Sequence, residues 1–165
     1  MSQRKDINAE AQSCERRREK NISGNAEAQS CGGRGEKNIK VENSISKEIV
    51  DSAIEAHREL KGPGLLESAY EEALCHELIE KGMEVKRQLT IPLKYKGRIL
   101  DTTFRLDVLV ENKVIVECKA TTEYNKIYES QLLTYLRLLN RKLGLVINFV
   151  EKYVKDGIYR VVNNL

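Results

Sequence analysis

Three stretches of the chain repeat apolar residues every three to four positions, which is the period of a helix packed on one side. They span residues 45–60, 66–78 and 127–139. Gly62-Pro63-Gly64 separates the first two stretches, because neither glycine nor proline continues a helix well. The sequence therefore predicts three amphipathic helices.

Between the second and third helices, apolar residues alternate with polar ones. Residues 85–95 and 99–110 form a predicted hairpin around a turn at Lys96-Gly97, and residues 114–120 follow a second short turn. Beyond the third helix, residues 143–149 form an apolar run typical of a buried strand, and residues 157–162 indicate a short edge strand. This order predicts an α/β domain whose mixed sheet is flanked by helices.

The first forty residues lack these patterns and contain an internal repeat instead. Residues 8–23 and 25–40 share twelve of sixteen residues at a period of seventeen. Two copies without aromatic residues or an apolar stripe cannot form a packed repeat core. The sequence therefore predicts a disordered polar tail over residues 1–43 and a globular domain over residues 44–165. A second interpretation of the tail is a basic arm that contacts nucleic acid.

Charge gives the domain no overall preference for nucleic acid. The formal charge of +3 belongs to the first forty residues, because residues 41–165 hold nineteen basic and nineteen acidic side chains. A phosphate-binding surface would therefore depend on local charge placement. No apolar run is long enough to cross a membrane, and the four cysteines share no CxxC spacing. We expect a cytoplasmic protein without membrane association, zinc or disulfides.

Two carboxylates and a lysine interrupt the apolar pattern of adjacent strands. Asp107 lies in the strand predicted over residues 99–110, and Glu117 and Lys119 lie in the next one. Residues two apart in a strand share a face, and the short turn brings Asp107 onto the neighbouring strand. Buried charge needs mutual pairing or a bound cation, and a few oxygen ligands with open positions suit Mg²⁺.

Such a cluster contains the parts that phosphodiester hydrolysis needs: a cation to polarise the phosphate and acidify water, and a lysine to stabilise negative charge. Glu67 begins the second helix and is a candidate third carboxylate. Gln131 and Tyr135 lie four apart on one face of the third helix, where they could contact DNA or the Lys119 region.

Each of these interpretations has a structural alternative. E-x-K occurs four times in the chain, and only Glu117/Lys119 lies inside an apolar strand with an acidic residue on its neighbour. The alternative for that cluster is a buried salt-bridge set. The alternative for Glu67 is a residue that stabilises the helix dipole, and for Gln131 and Tyr135 an ordinary amphipathic boundary.

The order of these residues resembles a known nuclease superfamily. The pattern resembles that of PD-(D/E)xK nucleases in their RecB-like form. It consists of a glutamate on a helix, an aspartate on a strand, E-x-K on the next strand and Q-x-x-x-Y on the following helix. Residues 64–70 (GLLESAY) also reproduce the G-x-x-E-x-x-Y signature of the GxxExxY proteins. The likeness covers residues 46–162, including RLDVLVE at 105–111 and GLVINF at 144–149.

The resemblance implies a restriction-endonuclease-like αβββαβ core with a metal-dependent nuclease site. The resemblance implies catalytic roles for Glu67, Asp107, Glu117 and Lys119. The three acidic residues among them are also the implied ligands of Mg²⁺ or Mn²⁺. Gln131 and Tyr135 are the implied substrate contacts. The implied substrate is DNA. The rival hypothesis is a catalytically inactive module that keeps the fold and binds nucleic acid or protein. Exposed edge strands also make a homodimer feasible.

The chain departs from the family pattern in places. Residues 60–64 (LKGPG) are one longer than the LGPG of relatives, and Tyr128 stands where relatives often carry histidine. No cysteine follows Cys118, so we expect no iron–sulfur cluster. His57 and His76 lie on predicted helices beside apolar residues, and we expect both to be structural.

Overall fold

The computed structural model describes residues 34–164, with side chains from residue 40 onwards. Its elements in chain order are α1 (Arg34–Glu59), α2 (Glu67–Glu80), β1 (Val85–Tyr95), β2 (Arg98–Val110), β3 (Val114–Lys119), α3 (Ile127–Leu138), β4 (Leu143–Asn148), a 3₁₀ helix (Val154–Gly157) and β5 (Ile158–Val162). The elements follow the predicted order, with most ends within two residues of those expected.

The start of α1 differs from the expectation. The helix begins at Arg34, inside the segment predicted as a polar tail, whereas the apolar pattern begins only at Ile45. Residues 34–44 carry mostly polar side chains, so periodicity gave no sign of the helix there. The remainder of the tail, residues 1–33, lies outside the described residues, and the domain boundary at residue 44 stays a prediction.

The five strands form one mixed sheet in the order β1-β2-β3-β4-β5. Strands β3 and β4 are parallel, and all other neighbours are antiparallel. A parallel pair needs a crossover connection, which α3 provides. The predicted α/β fold with a mixed sheet is confirmed. Strands β1 and β5 form the two edges, and the homodimer stays a prediction.

Helices cover both faces of this sheet. Helices α1 and α2 pack on one face against a cluster that includes Val108, Val116 and Cys118. Helix α3 packs on the other face, against Leu106, Ile115 and Val146 among others. The two faces of β3 therefore alternate as expected for a strand buried on both sides.

Helix α3 lies close against β4 at a glycine. A Cβ atom at Gly144 would lie 2.8 Å from Cδ1 of Leu132, which is closer than carbon atoms pack. Because Gly144 has no side chain, α3 can lie closer to β4 than it could with any other residue at this position. Among the helices of residues 34–164, none is both long and apolar enough to cross a membrane.

Candidate active site

The regular alternation of the sheet is broken where β1 and β2 face each other at Gln88 and Asp107. Leu106 and Val108 are two apart in β2, yet they pack into the cores on opposite faces of the sheet. In a regular strand they would share a face. The register pairs residues 87 with 108 and 89 with 106, so Gln88 and Asp107 lie opposite each other at the break.

The partner strand is irregular at the same level. Gln88 has a φ of 51°, a left-handed backbone conformation that is uncommon outside glycine. As a result Arg87 and Gln88, although adjacent, both reach Glu71 of α2: the Arg87 Nε donates to Oε1 at 3.1 Å and the Gln88 Nε2 donates to Oε2 at 2.6 Å. Both oxygens of this buried carboxylate are thereby hydrogen-bonded.

The break frees Asp107 from the β-ladder. Backbone pairing between β2 and β3 extends from Val110/Val114 only as far as Val108/Val116. At the next position the Asp107 carboxylate accepts a hydrogen bond from the backbone N–H of Cys118 at 2.9 Å. A side chain thus takes the place of a strand carbonyl, which fixes one carboxylate oxygen beside the end of β3.

Three carboxylates converge on the ammonium group of Lys119. The distances from its Nζ are 3.3 Å to Oε1 of Glu67, 3.5 Å to Oδ2 of Asp107 and 3.7 Å to Oε2 of Glu117. The same Nζ donates to the carbonyl of Cys118 at 2.6 Å. The expected proximity of Asp107 and Glu117 is therefore present, and both carboxyl groups face one cation.

Burial and neighbouring charges shift the pKa values of Glu117 and Lys119 in this cluster. Desolvation, followed by the negative charge of Asp107, raises the pKa of the Glu117 carboxyl to about 8 even though Lys119 opposes the shift. Burial also lowers the pKa of the Lys119 ammonium, but Asp107, Glu117 and Glu67 outweigh it, so that pKa ends above its usual value. Lys119 is accordingly protonated at neutral pH. The Oε1 atom of Glu117 is buried and meets no hydrogen-bond partner within the described part of the chain.

Glu67 reaches the cluster from the first residue of α2. The preceding loop passes through positive φ at Lys61, Gly62 and Gly64, and the two glycines adopt this conformation without strain. Tyr70 fastens this loop, because its hydroxyl donates to the Gly62 carbonyl at 2.8 Å and accepts from the Leu65 N–H at 3.2 Å. The ring of Tyr70 is fully buried, so this residue connects the loop before α2 to the hydrophobic core.

Gln131 and Tyr135 lie one turn apart in the middle of α3 and hydrogen-bond to each other. The Gln131 Nε2 donates to the Tyr135 hydroxyl, and neither side chain hydrogen-bonds to the three carboxylates. Tyr135 is buried, whereas Gln131 is exposed. Tyr128, one turn earlier, lies with its ring centre 5.8 Å from the Lys119 Nζ. An aromatic face therefore lies beside the Lys119 ammonium at this position.

Sequence comparison identifies the family to which this arrangement belongs. The family model of the PD-(D/E)XK nuclease superfamily matches residues 43–161, which include every element from α2 to β4. The chain belongs to the PD-(D/E)XK nuclease superfamily. The comparisons give no match to a curated protein or to a solved structure. The predicted superfamily is confirmed, and membership of the GxxExxY group stays a prediction.

PD-(D/E)XK nucleases typically use divalent metal ions. The candidate ligands for such an ion in this protein are the carboxylate oxygens of Glu67, Asp107 and Glu117. Among the residues with described side chains, no three His, Cys, Asp or Glu residues form a ready-made metal site. The Lys119 ammonium instead lies among the carboxylates. The donors nonetheless suit a hard cation, because all are carboxylate oxygens and the buried Oε1 of Glu117 still needs a partner.

Two further residues support this PD-(D/E)XK site without having been expected from the sequence. Asn148, at the end of β4, is buried and clamps the chain after Lys119: its Oδ1 accepts from the Thr121 N–H at 3.1 Å and its Nδ2 donates to the Thr121 carbonyl at 2.8 Å. Glu71 holds the Gln88 side of the strand break. An asparagine that ends an apolar strand, and a glutamate one turn after Glu67, were the available signals.

Proposed function

We propose that this chain is a divalent-metal-dependent nuclease that hydrolyses phosphodiester bonds of DNA. The observation that carries the proposal is the buried Glu117. Its carboxyl group shares a lysine with Asp107 and Glu67, and one of its oxygens has no hydrogen-bond partner in the described part of the chain. Membership of a nuclease superfamily supports the same reaction class.

Asp107 and Glu117, with Glu67 as the third carboxylate, would hold Mg²⁺ or Mn²⁺. Such a cation polarises a phosphate oxygen and acidifies a water molecule when bound. Asp107 is suited to this role because the Cys118 N–H fixes its orientation. Glu67 is nearly half exposed, so it can also accept a hydrogen bond from the attacking water.

Lys119 would stabilise the negative charge that grows on the phosphate. Its ammonium is protonated and donates to the Cys118 carbonyl at 2.6 Å, so its position is fixed before substrate arrives. A preorganised donor of this kind is worth most where it requires no rearrangement during reaction. Gln131 is exposed next to Tyr135, and its amide would contact the DNA backbone while the Tyr135 hydroxyl holds it.

Cleavage of plasmid and single-stranded DNA tests the proposal. Wild-type protein should cleave with Mg²⁺ or Mn²⁺ and not with EDTA, and Asp107→Ala should lose this activity. The matched control is Asp101→Ala, which removes an exposed aspartate from the same strand and should cleave like wild type. Equal cleavage by wild type and Asp107→Ala would refute the catalytic assignment.

One observation favours a second candidate, in which the cluster is a purely structural ion network. Lys119 already bridges all three carboxylates, so mutual pairing accounts for much of the charge. That candidate, like an inactive binding module, predicts no binding of Mg²⁺ or Mn²⁺ that depends on Glu117. Calorimetric titration of wild type and Glu117→Gln with each metal decides between them. The nuclease proposal requires binding by wild type and its loss in the variant.

A further inference from the structure

A basic groove lies outside the carboxylate cluster, between the end of α1 and the segment before β5. Its volume is about 520 Å³, and its lining includes His57 and Arg58 of α1, Lys61 and Gly62 of the following loop, and residues 152–155. None of these residues belongs to the carboxylate cluster, although Lys61 and Gly62 lie in the loop that leads to Glu67. The groove combines charge, an aromatic surface and a buried polar floor.

Three lysines give the groove unneutralised positive charge. Lys61, Lys152 and Lys155 are exposed, and none has a carboxylate within salt-bridge distance among the described side chains. Arg58 differs, because it pairs with Glu55 and Glu59 on its own helix. Since residues 41–165 are neutral overall, three unpaired lysines around one groove form a local anion-binding surface.

Tyr153 adds an exposed aromatic ring to the same surface. Its relative exposure is 56%, so more than half of the residue's surface is open to solvent. The ammonium groups of Lys152 and Lys155 lie 5.4 Å and 5.6 Å from the ring centre. Both ammonium groups lie over the ring, and both lysine side chains are exposed, so they can move from the ring to phosphates when a base stacks on Tyr153.

The floor of the groove connects it to the carboxylate cluster. His57 is buried, and its Nε2 has no hydrogen-bond partner among the residues that the structure describes. Its ring centre lies 6.2 Å from that of Tyr70 and 6.5 Å from that of Phe149. The Phe149 N–H donates to the Lys119 carbonyl at 2.7 Å. On the surface, the loop from Lys61 leads directly to Glu67. The groove is therefore connected to the cluster by contacts through the core and by the loop between Lys61 and Glu67.

We propose that this groove binds a single-stranded nucleic acid, with a base stacked on Tyr153 and phosphates on Lys61, Lys152 and Lys155. Single strands are the occupant because stacking on a side chain requires an unpaired base, whereas a duplex hides its base faces. The inference extends the proposed function by naming how substrate is held beside the site. Its binding step does not depend on cleavage.

Fluorescence anisotropy with a labelled single-stranded oligonucleotide in EDTA tests the proposal. The variant Lys61→Ala/Lys152→Ala/Lys155→Ala should bind at least tenfold more weakly. The slope of log affinity against log salt should also fall by about 2, because each phosphate contact to a single strand contributes about 0.7. Tyr153→Ala should weaken binding roughly tenfold, and Tyr153→Phe should retain it.

The hairpin between β1 and β2 offers a matched control. Tyr95 is 59% exposed there and has the Lys96 ammonium 5.5 Å from its ring centre, so the pair resembles Tyr153 and its lysines. Tyr95→Ala and Lys94→Ala/Lys96→Ala should bind like wild type. Unchanged thermal melting of every variant would establish that folding is intact, as expected for exposed side chains.

The outcomes separate this proposal from the nuclease assignment. If the groove variants lose binding while wild type fails to cleave, the groove is supported and the nuclease proposal fails. If the groove variants bind like wild type, the groove proposal is overturned whatever the cleavage result. Tighter binding of duplex than of single strand, with Tyr153→Ala unaffected, would also overturn it.

Discussion

Two buried glutamates of this protein meet different surroundings. The side chains of Glu71 and Glu117 are 6% and 5% exposed, so burial does not distinguish them. Glu71 has a hydrogen bond to each oxygen, from Arg87 and Gln88. Glu117 has one oxygen 3.7 Å from the Lys119 ammonium, which two other carboxylates share, and its other oxygen has no partner among the described residues.

The hydrogen bonds of Glu71 stabilise the fold, whereas Glu117 has an oxygen that can bind a ligand. A buried carboxyl group whose oxygens are all hydrogen-bonded is a stable part of the structure, whereas one with an unsatisfied oxygen carries a cost that a bound cation would offset. We therefore assign Glu71 to the framework of the strand break and propose Glu117 for cation binding. Both residues can be changed to glutamine with little change in shape, so their effects on cleavage can be compared directly.

The largest expected effect is on cleavage. Glu117→Gln should lower the rate of DNA cleavage by at least about two orders of magnitude, since it removes charge stabilisation at the reacting phosphate. Glu71→Gln makes the same chemical change at a carboxylate outside the cluster around Lys119, so it should lower the rate by less than about tenfold. Rates with saturating Mg²⁺ on one plasmid substrate measure both. Equal losses in the two variants would remove the distinction between them.

Stability should respond in the opposite order. Glu71→Ala should lower the free energy of unfolding by about 2–3 kcal/mol, because Gln88 and Arg87 lose their acceptor. The loss is below that of a fully buried ion pair, since the Arg87 side chain is 40% exposed and can be hydrated.

Metal-free Glu117→Gln should be at least as stable as wild type above pH 8, because it removes a buried charge that lacks a full set of partners. Urea unfolding of both variants in EDTA is the measurement. A large loss of stability in Glu117→Gln would instead favour the structural ion network.

The pH dependence of stability sharpens the comparison further. The folded-state pKa of Glu117, about 8, is raised above its ordinary value of 4.5, so the folded protein holds a proton that the unfolded chain releases between those pH values. Metal-free wild type should therefore lose stability as pH rises from about 4.5 to 8, by at most about 1.4 kcal/mol per pH unit.

The slope should be smaller in Glu117→Gln, which has no such proton to lose. Unfolding midpoints measured in EDTA across this pH range give the comparison. Parallel curves for variant and wild type would show that Glu117 does not titrate in this window.

The sequence was sufficient for one part of the site and insufficient for another. Strand alternation placed Glu117 and Lys119 on one face, and the short turn brought Asp107 near them. The break that frees Asp107 from the ladder depends on the backbone of Gln88 and on its bond to Glu71, which are contacts between distant segments. No periodic pattern encodes such a contact, and Glu71 resembles any other charge in a chain that is 32% charged.

The smallest expected effect comes from Gln88, whose conformation and side chain act in opposite directions. Glycine adopts a φ of 51° without strain, so Gln88→Gly should relieve about 1 kcal/mol of backbone cost. The same change removes the hydrogen bond to Glu71, which is worth about 1–3 kcal/mol to a charged acceptor. The net change in unfolding free energy should therefore be a loss of no more than about 2 kcal/mol, measured by urea unfolding. Gln88→Ala keeps the strain and also loses the bond, so it should be less stable than Gln88→Gly; the reverse order would mean that the left-handed backbone at the break is unstrained.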